Sequence, residues 1–515
     1  MKTLWRRSFS ISYGDMRLAA AAYMLLPAAL FFIGFLRWYY ALVGLFAIGV
    51  AYYGFIKTRK SNSRCKHTLE LKVSTMVGLF FLMLLWCQLG GLNGYLYQSA
   101  DFDCRNAIFR DLITHRWPVV YESSNSALVY YVGHWLPAAL IGKLANLLFH
   151  NARFTWFAGR MALWAWTALG LTVIAMLLML YTNADSFKKK LAVLCVFIFF
   201  SGMDIIGTFL YGKQAELFSP DVLHLEWWPP HGYQYTSVTA CLYWVFNQSV
   251  VPWMATACFL MDKDERNYLA YGVGCLVCGP LPLVGLAAMM ILSAVYRLIS
   301  QIFKRRAGTW FKAVFSWSNI LLLIIALPAL AMYLFGNNSI SATSQSAFVE
   351  EGSSFFSRDY WNKDLLIFYV LEVGVYLALV WNAHKKDPLI YIVAISLLVI
   401  PYIHVGTSTD FCMRASIPGV FVVLSYVADY LVHYFPVRNR PKGRAKSAAV
   451  VLLITVLCGA ATPCVEIYRG IYHVVQEKTY RLANDRIITF DDGSVSTNFS
   501  TADADKKFFF KHLAR

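Results

Sequence analysis

Residues 71–112 read LKVSTMVGLFFLMLLWCQLGGLNGYLYQSADFDCRNAIFRDL. The first part, 71–89, is apolar and long enough to cross a hydrocarbon core about 30 Å thick as a helix. The last part, 100–112, places five charged side chains directly after that helix, namely Asp101, Asp103, Arg105, Arg110 and Asp111. Because charges this close to a bilayer are costly unless they face water or one another, they mark a candidate functional site.

Composition extends the membrane interpretation to the whole chain. Of 515 residues, 58% are hydrophobic and 15% are charged, whereas soluble domains contain about 25% charged residues. We therefore expect an all-α polytopic membrane protein with about 13 transmembrane helices and interfacial helices on the outer side. The predicted spans are 17–35, 38–56, 72–90, 160–182, 191–209, 238–260, 268–281, 283–300, 315–336, 364–382, 388–404, 416–434 and 447–464.

Charge predicts the orientation of these spans. The formal net charge is +17, and the Lys and Arg residues cluster in short loops, which is the positive-inside pattern and not a nucleic-acid-binding surface. The basic loops fall on one side, the cytoplasm, only if the ambiguous segment 126–150 does not cross. We therefore expect 126–150 to form an interfacial or re-entrant helix pair on the outer side.

This topology divides the chain into two parts. Residues 1–465 form the transmembrane domain, in which 91–150 is the first catalytic outer loop with its interfacial helices. Residues 466–515 form an extracytoplasmic tail. We expect no cleavable signal peptide, so the first helix is its own targeting signal in a multi-pass cell-membrane protein with a cytoplasmic N-terminus.

Cys275 and Cys278 are interpreted as packing residues, and pairing of Cys104 with Cys412 stays open.

The first outer loop offers carboxylates for proton transfer. Asp101 and Asp103 would share a side in an extended turn and diverge on a helix, and we expect a short amphipathic helix only over 106–114. Carboxylates beside Arg105 and Arg110 stay ionised at neutral pH. Such a group can act as a general base toward a substrate hydroxyl.

The second outer loop, 224–235, reads HLEWWPPHGYQY. Its aromatic residues either anchor the chain at the membrane interface or stack on a sugar, and its polar residues could bond to sugar hydroxyls. The His/Glu/His spacing fits no familiar metal-ligand set, so we predict no metal. The candidate residues here are His224, Glu226, Trp227, Trp228, His231 and Gln234.

The third outer loop, 407–418, reads TSTDFCMRASIP. Its D-F-C-M-R is similar to D-F-D-C-R in the first loop. Arg414 begins a membrane helix there, with Asp410 four residues before it. An arginine at this position either grips phosphate oxygens or extends its side chain to the interface, and both interpretations stay open.

Other polar residues near or within the spans are weaker candidates. Lys213 and Glu216 follow a span and suit interfacial anchoring. Asn247 and Gln248 lie in an apolar helix, where they suit bonding between helices. Asp204 and Glu372 are carboxylates within predicted spans, so each needs a partner.

Taken together, the topology and the first loop resemble the GT-C class of integral-membrane glycosyltransferases. In its aminoarabinose transferases the loop reads approximately D-E-x-R-Y-A followed by R-E-M. The present chain has Asp101, Asp103, Arg105 and Ala107, followed by the triplet 110–112, R-D-L. Phe102 splits the acidic pair, so the resemblance leaves the catalytic acid open between Asp101 and Asp103.

The resemblance implies a polyprenyl-phosphate sugar donor, a glycan, lipid or protein acceptor in the cell envelope, and inversion at the anomeric carbon. One of the two aspartates would be the general base, and Arg105, Arg110 and Arg414 would hold the donor phosphate. The second-loop candidates and Asp410 would contact sugar or acceptor. No cofactor is implied, and nothing supports a divalent cation. Two alternatives stay open: a transporter or flippase, or a polymerase or ligase, of lipid-linked saccharides.

Overall fold

The apolar runs of the chain form helices, as their composition predicts. The computed structural model describes residues 7–213, 225–226, 233–337, 363–403, 409–434, 444–476, 490 and 499–515. The helices are α1 Tyr13–Phe35, α2 Trp38–Lys57, α3 Val73–Leu89, α4 Asp101–Thr114, α5 Leu136–Phe149, α6 Ala152–Tyr181, α7 Phe187–Phe199, α8 Asp204–Leu210, α9 Val238–Met261, α10 Tyr268–Cys278, α11 Pro280–Phe303, α12 Ala307–Val314, α13 Trp317–Leu334, α14 Lys363–His384, α15 Pro388–Val399, α16 Asp410–Ala415, α17 Ile417–Tyr434, α18 Arg444–Gly459 and α19 Ala461–Gln476.

Many of these helices are long and apolar enough to cross a membrane. Eight described segments meet both conditions, or nine if the bent pair α7 and α8 forms one span. The eight are α1, α2, α6, α11, α13, α14, α17 and the continuous segment Lys446–Gln476. Helices α3, α10 and Pro388–Tyr402 are apolar but shorter. The prediction of an all-α polytopic membrane protein is confirmed, and the count of 13 crossings stays a prediction.

Serine caps fix where several helices begin. Before α1, the Ser12 Oγ accepts from the Asp15 N–H, and the Asp15 carboxylate accepts from the Ser12 N–H, both at 3.2 Å. Ser186 and Ser237 cap α7 and α9 in the same way. Each cap satisfies a backbone donor that has no partner inside the helix.

One end of the helix bundle carries the N-terminal strand and the Lys/Arg-rich loops, and we call it the basic end. Strands β1 (Ser8–Ser12) and β2 (Thr68–Lys72) pair there in antiparallel register. Lys190 donates to the backbone of β2 at 2.6 Å. An ion pair of 2.9 Å between Arg17 and Asp262 lies fully buried beneath these loops.

The C-terminus lies at the opposite end, which we call the loop end. Strands β3 (Val120–Tyr121), β4 (Ser126–Leu128) and β5 (Ser500–Ala502) form a small sheet there. The Arg515 N–H donates to the Phe35 carbonyl at the far end of α1. Because α1 has 23 residues, at 1.5 Å per residue the N-terminal strand and the C-terminus are separated by about 34 Å.

The segment 126–150 turns back before it reaches the basic end. After β4 and a short turn at Gly133–Trp135, α5 runs antiparallel to the first half of α6. His134 contacts Thr167 at 3.0 Å, and the Thr155 hydroxyl donates to Asn146 at 3.4 Å. The second half of α6 continues to the basic end, where the Leu180 carbonyl accepts from the Cys65 thiol. The segment therefore packs beside α6 without spanning the bundle.

Candidate functional site

Two short helices at the loop end begin with the same pattern, D-F-x-x-R. Helix α4 begins at Asp101 and α16 begins at Asp410. In each, the aspartate forms an ion pair with the arginine four residues later, Asp101 with Arg105 at 2.7 Å and Asp410 with Arg414 at 3.1 Å. A carboxylate in the first turn is also stabilised by the helix dipole. The similarity noted in the sequence is therefore a similarity of structure.

The fold brings these two helices within electrostatic range of each other, although about 300 residues separate them in the chain. The carboxylate of Asp101 acts electrostatically on the Arg414 guanidinium. Both arginines act on the hydroxyls of two adjacent tyrosines that follow β4. We call this group the two-loop site. Its members are Asp101, Arg105, Tyr130, Tyr131, Asp410 and Arg414.

The two arginines have hydrogen-bonding capacity that their aspartates do not use. The Nη1 of Arg105 and the Nε of Arg414 are buried and have no hydrogen-bond partner among the described residues. Arg105 as a whole is only 7% exposed. Unsatisfied buried donors on charged groups are expensive. An anion bound between the two guanidinium groups would satisfy both.

Burial alone would disfavour the charge on Arg414, but its neighbours, among them the carboxylates of Asp410 and Asp101, outweigh that effect and raise the pKa of its guanidinium. Burial raises the pKa of the hydroxyls of Tyr130 and Tyr131, so both are neutral at pH 7. The site therefore combines two arginine–aspartate ion pairs, whose arginines keep unused donors, with two neutral hydroxyl groups. This combination suits a phosphate and the hydroxyl groups of a sugar.

The tyrosine pair is held rigidly. The rings of Tyr130 and Tyr131 lie 3.6 Å apart, and the Tyr130 ring also contacts Phe499 at 4.9 Å. The Tyr130 N–H donates to the Tyr333 hydroxyl at 3.3 Å. Sequence reasoning misses both tyrosines, because it treats segment 126–150 only as a question of topology. The adjacent Y-Y pair was the signal available.

The first acidic residues adopt a different conformation from the one expected. Helix α4 begins at Asp101 rather than at residue 106, so Asp101 and Asp103 lie about 200° apart around the helix. Of the two conformations that the sequence left open for this pair, the structure has the helix, in which they diverge. Asp101 bonds to Arg105 through Oδ2, and its side chain is 51% exposed. Asp103 is half-buried. The orienting contact to Arg105 therefore belongs to Asp101.

Arg110 does not join the two-loop site. Nine residues after Asp101, it lies on the opposite face of α4. Its Nε donates to Asp111 at 2.8 Å, and the buried Asp111 also accepts from the Tyr121 hydroxyl at 2.8 Å. This cluster holds α4 against β3. The placement gives no support to Arg110 as a donor-phosphate ligand.

Two residues of the second loop form hydrogen bonds that connect this loop to the start of α16. Glu226 is 3% exposed, and its Oε1 accepts from the Ser237 N–H at 2.9 Å. Its Oε2 accepts from Thr236 at 3.2 Å and from the amide of Gln234. Gln234 in turn accepts from Thr409, which precedes α16, at 3.0 Å. The polar atoms of Glu226 and Gln234 thus bind the loops to each other, and their contact with a sugar stays a prediction.

The other second-loop candidates lie outside the described residues; they are His224, Trp227, Trp228, His231 and the anchor candidate Glu216. Cys104 and Cys412 are both free thiols. Within the described part of the chain, no group of three or more His, Cys, Asp or Glu side chains could hold a metal ion.

Glycines allow the chain to turn from α3 into α4. Gly91 and Gly94 have φ values of 75° and 77°, in the left-handed region that side chains disfavour. The Gln98 amide donates back to the Gly91 carbonyl at 2.8 Å and accepts from Asn106 of α4 at 2.9 Å. Asn106 also accepts from the buried Arg160 of α6 at 3.0 Å. These contacts fix the start of α4, and with it Asp101.

A second polar cluster lies inside the bundle. Asp204, at the break between α7 and α8, lies beside Glu372. Glu372 lies on a π-helical turn, Val370–Gly374, within α14. Asp204 also accepts from Ser201 at 3.1 Å and from Thr462 at 2.9 Å. The two carboxyl groups therefore lie side by side inside the bundle.

No family model, curated protein or solved structure matches this chain. A functional conclusion must therefore rest on the chemistry of its residues. The two-loop site provides the most specific chemistry, because it joins two arginines with unused buried donors to a half-exposed carboxylate.

Proposed function

We propose that the protein is a GT-C-class glycosyltransferase with about 13 transmembrane helices, located in the cell membrane. It moves a sugar from a polyprenyl-phosphate donor to a glycan, lipid or protein acceptor of the cell envelope on the outer side. The N-terminus is cytoplasmic and the C-terminus extracytoplasmic. The observation that carries the proposal is the pair of buried, unused guanidinium donors on Arg105 and Arg414, which converge from two loops beside apolar helices.

The donor phosphate lies between the two arginines in this proposal. A polyprenyl phosphate is already a good leaving group, so the enzyme needs to stabilise its developing charge and not to protonate it. Arginine suits this role because its planar fork of donors matches phosphate oxygens. Asp101 and Asp410 keep each guanidinium in place, and the polyprenyl chain extends between the neighbouring apolar helices.

Asp101 is the general base. One of its oxygens is occupied by Arg105, and the other has no hydrogen-bond partner among the described residues. That oxygen takes the proton of the acceptor hydroxyl while the hydroxyl oxygen attacks the anomeric carbon. The bond from that carbon to the phosphate oxygen breaks on the opposite face, and the phosphate leaves with the electron pair. The product has the inverted anomeric configuration.

The test uses full-length protein in membrane vesicles supplied with a panel of radiolabelled polyprenyl-phosphate hexoses and pentoses. Transfer of label to endogenous envelope acceptors is measured for the wild type and for Asp101→Asn, Asp103→Asn and Arg414→Gln. We expect loss of transfer with Asp101→Asn and Arg414→Gln. Full transfer by Asp101→Asn would contradict the general-base assignment, and loss of transfer in Asp103→Asn alone would move the assignment to Asp103.

Transport of a lipid-linked saccharide is the second candidate. The observation that favours it is the buried pair Asp204 and Glu372 at a broken helix and a π-helical turn, because discontinuous helices with buried carboxyl groups are typical of transporters. The test is a flipping assay in proteoliposomes with a fluorescent polyprenyl-phosphate sugar. Movement of intact donor that is lost in Glu372→Gln but kept in Asp101→Asn would favour transport over transfer.

A further inference from the structure

A cavity of about 210 Å³ opens at the basic end, far from the two-loop site. It lies between α11 and the beginning of α15, below the loop that connects α2 to β2. Its polar wall consists of Arg64, Ser293, Tyr296, Arg297 and Asp387, and Phe259 contributes an apolar surface. A single water needs only about 10–15 Å³ of such space, so this cavity can hold a larger group.

Two arginines face this cavity, and only one of them is paired. Arg297 donates to the Lys263 carbonyl at 3.1 Å and forms an ion pair with Glu265 at 3.3 Å. The Arg64 guanidinium has no hydrogen bond or ion pair with any residue that the structure describes; only its backbone N–H is bonded, to Met261. The exposed Arg64 guanidinium is therefore available to bind an anion beside Arg297.

The carboxylate on the cavity wall does not neutralise Arg64. Asp387 caps α15, accepting from the Leu389 N–H at 3.1 Å, and its second oxygen accepts from the Tyr426 hydroxyl at 2.9 Å. It is too distant from Arg64 to form an ion pair. Partial desolvation and the repulsion of Arg297 lower the pKa of Arg64, although Asp387 acts in the opposite direction. A bound anion would relieve this repulsion.

The cavity also adjoins a lipid-facing surface. Leu292 and Val295, which precede Arg297 in α11, are each nearly half exposed, and Ile291 is more exposed still. Tyr296, which lines the cavity, is half exposed and lies one turn after Leu292. An acyl chain lying on this apolar side would thus place its headgroup at the two arginines.

We propose that this cavity binds the phosphate group of an anionic membrane lipid, with Arg64 and Arg297 on the phosphate and an acyl chain along α11. Basic pockets between transmembrane helices on the cytoplasmic side are a recognised form of lipid headgroup site. The site is separate from the transferase chemistry, since its residues lie at the other end of the bundle.

The experiment measures lipid binding to the purified full-length protein by native mass spectrometry. The probes are dioleoyl phosphatidylglycerol, dioleoyl phosphatidylcholine and inorganic phosphate. We expect phosphatidylglycerol to bind at least about tenfold more tightly than phosphatidylcholine, and Arg64→Gln to raise its Kd about tenfold or more. Arg64→Lys keeps the charge and should retain part of the affinity.

Arg306→Gln is the matched control, because Arg306 is an exposed arginine at the same end that does not line the cavity. We expect it to change the Kd by less than about twofold. Equal phosphatidylglycerol affinity in Arg64→Gln and the wild type would overturn the proposal, as would equal binding of the two lipids. Saturable, Arg64-dependent binding of inorganic phosphate without lipid binding would overturn the lipid assignment.

Discussion

Substituting Asp101 by Asn tests the proposed general base while leaving the shape of the site intact. The amide keeps an oxygen that can accept from Arg105, with which Asp101 now pairs at 2.7 Å. It cannot take a proton from an acceptor hydroxyl. We therefore expect a large loss of transfer rate with a small loss of stability.

The expected loss of transfer rate and the expected loss of stability differ enough to be measured separately. A positioned general base contributes about 10²–10⁴-fold to rate, which corresponds to about 3–5 kcal/mol of transition-state stabilisation. The ion pair itself contributes little to folding, because Asp101 is 51% exposed and an i,i+4 pair in such a position contributes about 0.3–0.5 kcal/mol. Because Asp101→Asn also removes a charge near the buried Arg105, we expect it to lower the free energy of unfolding by about 1 kcal/mol.

Asp410→Asn is the matched control, because Asp410 occupies the same first-turn position, pairs with Arg414 and is 42% exposed. We expect it to lower transfer about tenfold or less, since it only orients an arginine. The assay is initial rate of sugar transfer in vesicles at equal protein content, with thermal unfolding measured in parallel. Equal rate losses in the two variants would refute the assignment of Asp101 as base.

Two further substitutions test the fold. Asp262→Asn leaves the fully buried Arg17 without its ion-pair partner, so we expect it to lower the free energy of unfolding by about 3–5 kcal/mol in a denaturant titration. The control is Asp185→Asn, which removes an exposed ion pair. We expect this control to lower the free energy of unfolding by at most about 1 kcal/mol. Equal costs would contradict the burial argument. Gly94→Ala forces a side chain into a left-handed conformation and onto a guanidinium, so we expect a loss above about 1 kcal/mol. Gly78→Ala, in open space on α3, should be neutral or stabilising in thermal unfolding, and a loss there would contradict the reasoning.

Local pattern predicted the helices well, because an apolar run of about 20 residues has few alternatives to a membrane helix. Helix boundaries near polar residues were harder to predict from the sequence. The first turn of α4 contains Asp101 and Asp103, which favour a helix N-terminus, yet their charges suggested a loop. The shift of the boundary by five residues changed which side chains can meet.

The sequence pattern predicted individual residues of the two-loop site but did not predict which of them lie close together. The repeated D-F-x-x-R pattern was visible in the sequence, but nothing local shows that Arg105 and Arg414 meet across about 300 residues. The sequence suggested that Glu226 lies in an outer loop, whereas in the fold its side chain is buried and hydrogen-bonded to Gln234. Tyr130 and Tyr131 enter the site only because β4 pairs with β5, a contact between distant segments that a single sequence does not encode locally.

The central claim is that Arg105 and Arg414, from two different loops, bind the same phosphate. The most direct measurement is the Kd of purified protein for a polyprenyl phosphate, compared among the wild type, Arg105→Gln, Arg414→Gln and the control Arg110→Gln on the opposite face of α4. We predict that each of the first two substitutions raises the Kd about tenfold or more, while Arg110→Gln leaves it unchanged. A Kd unaffected by either Arg105→Gln or Arg414→Gln would contradict the claim.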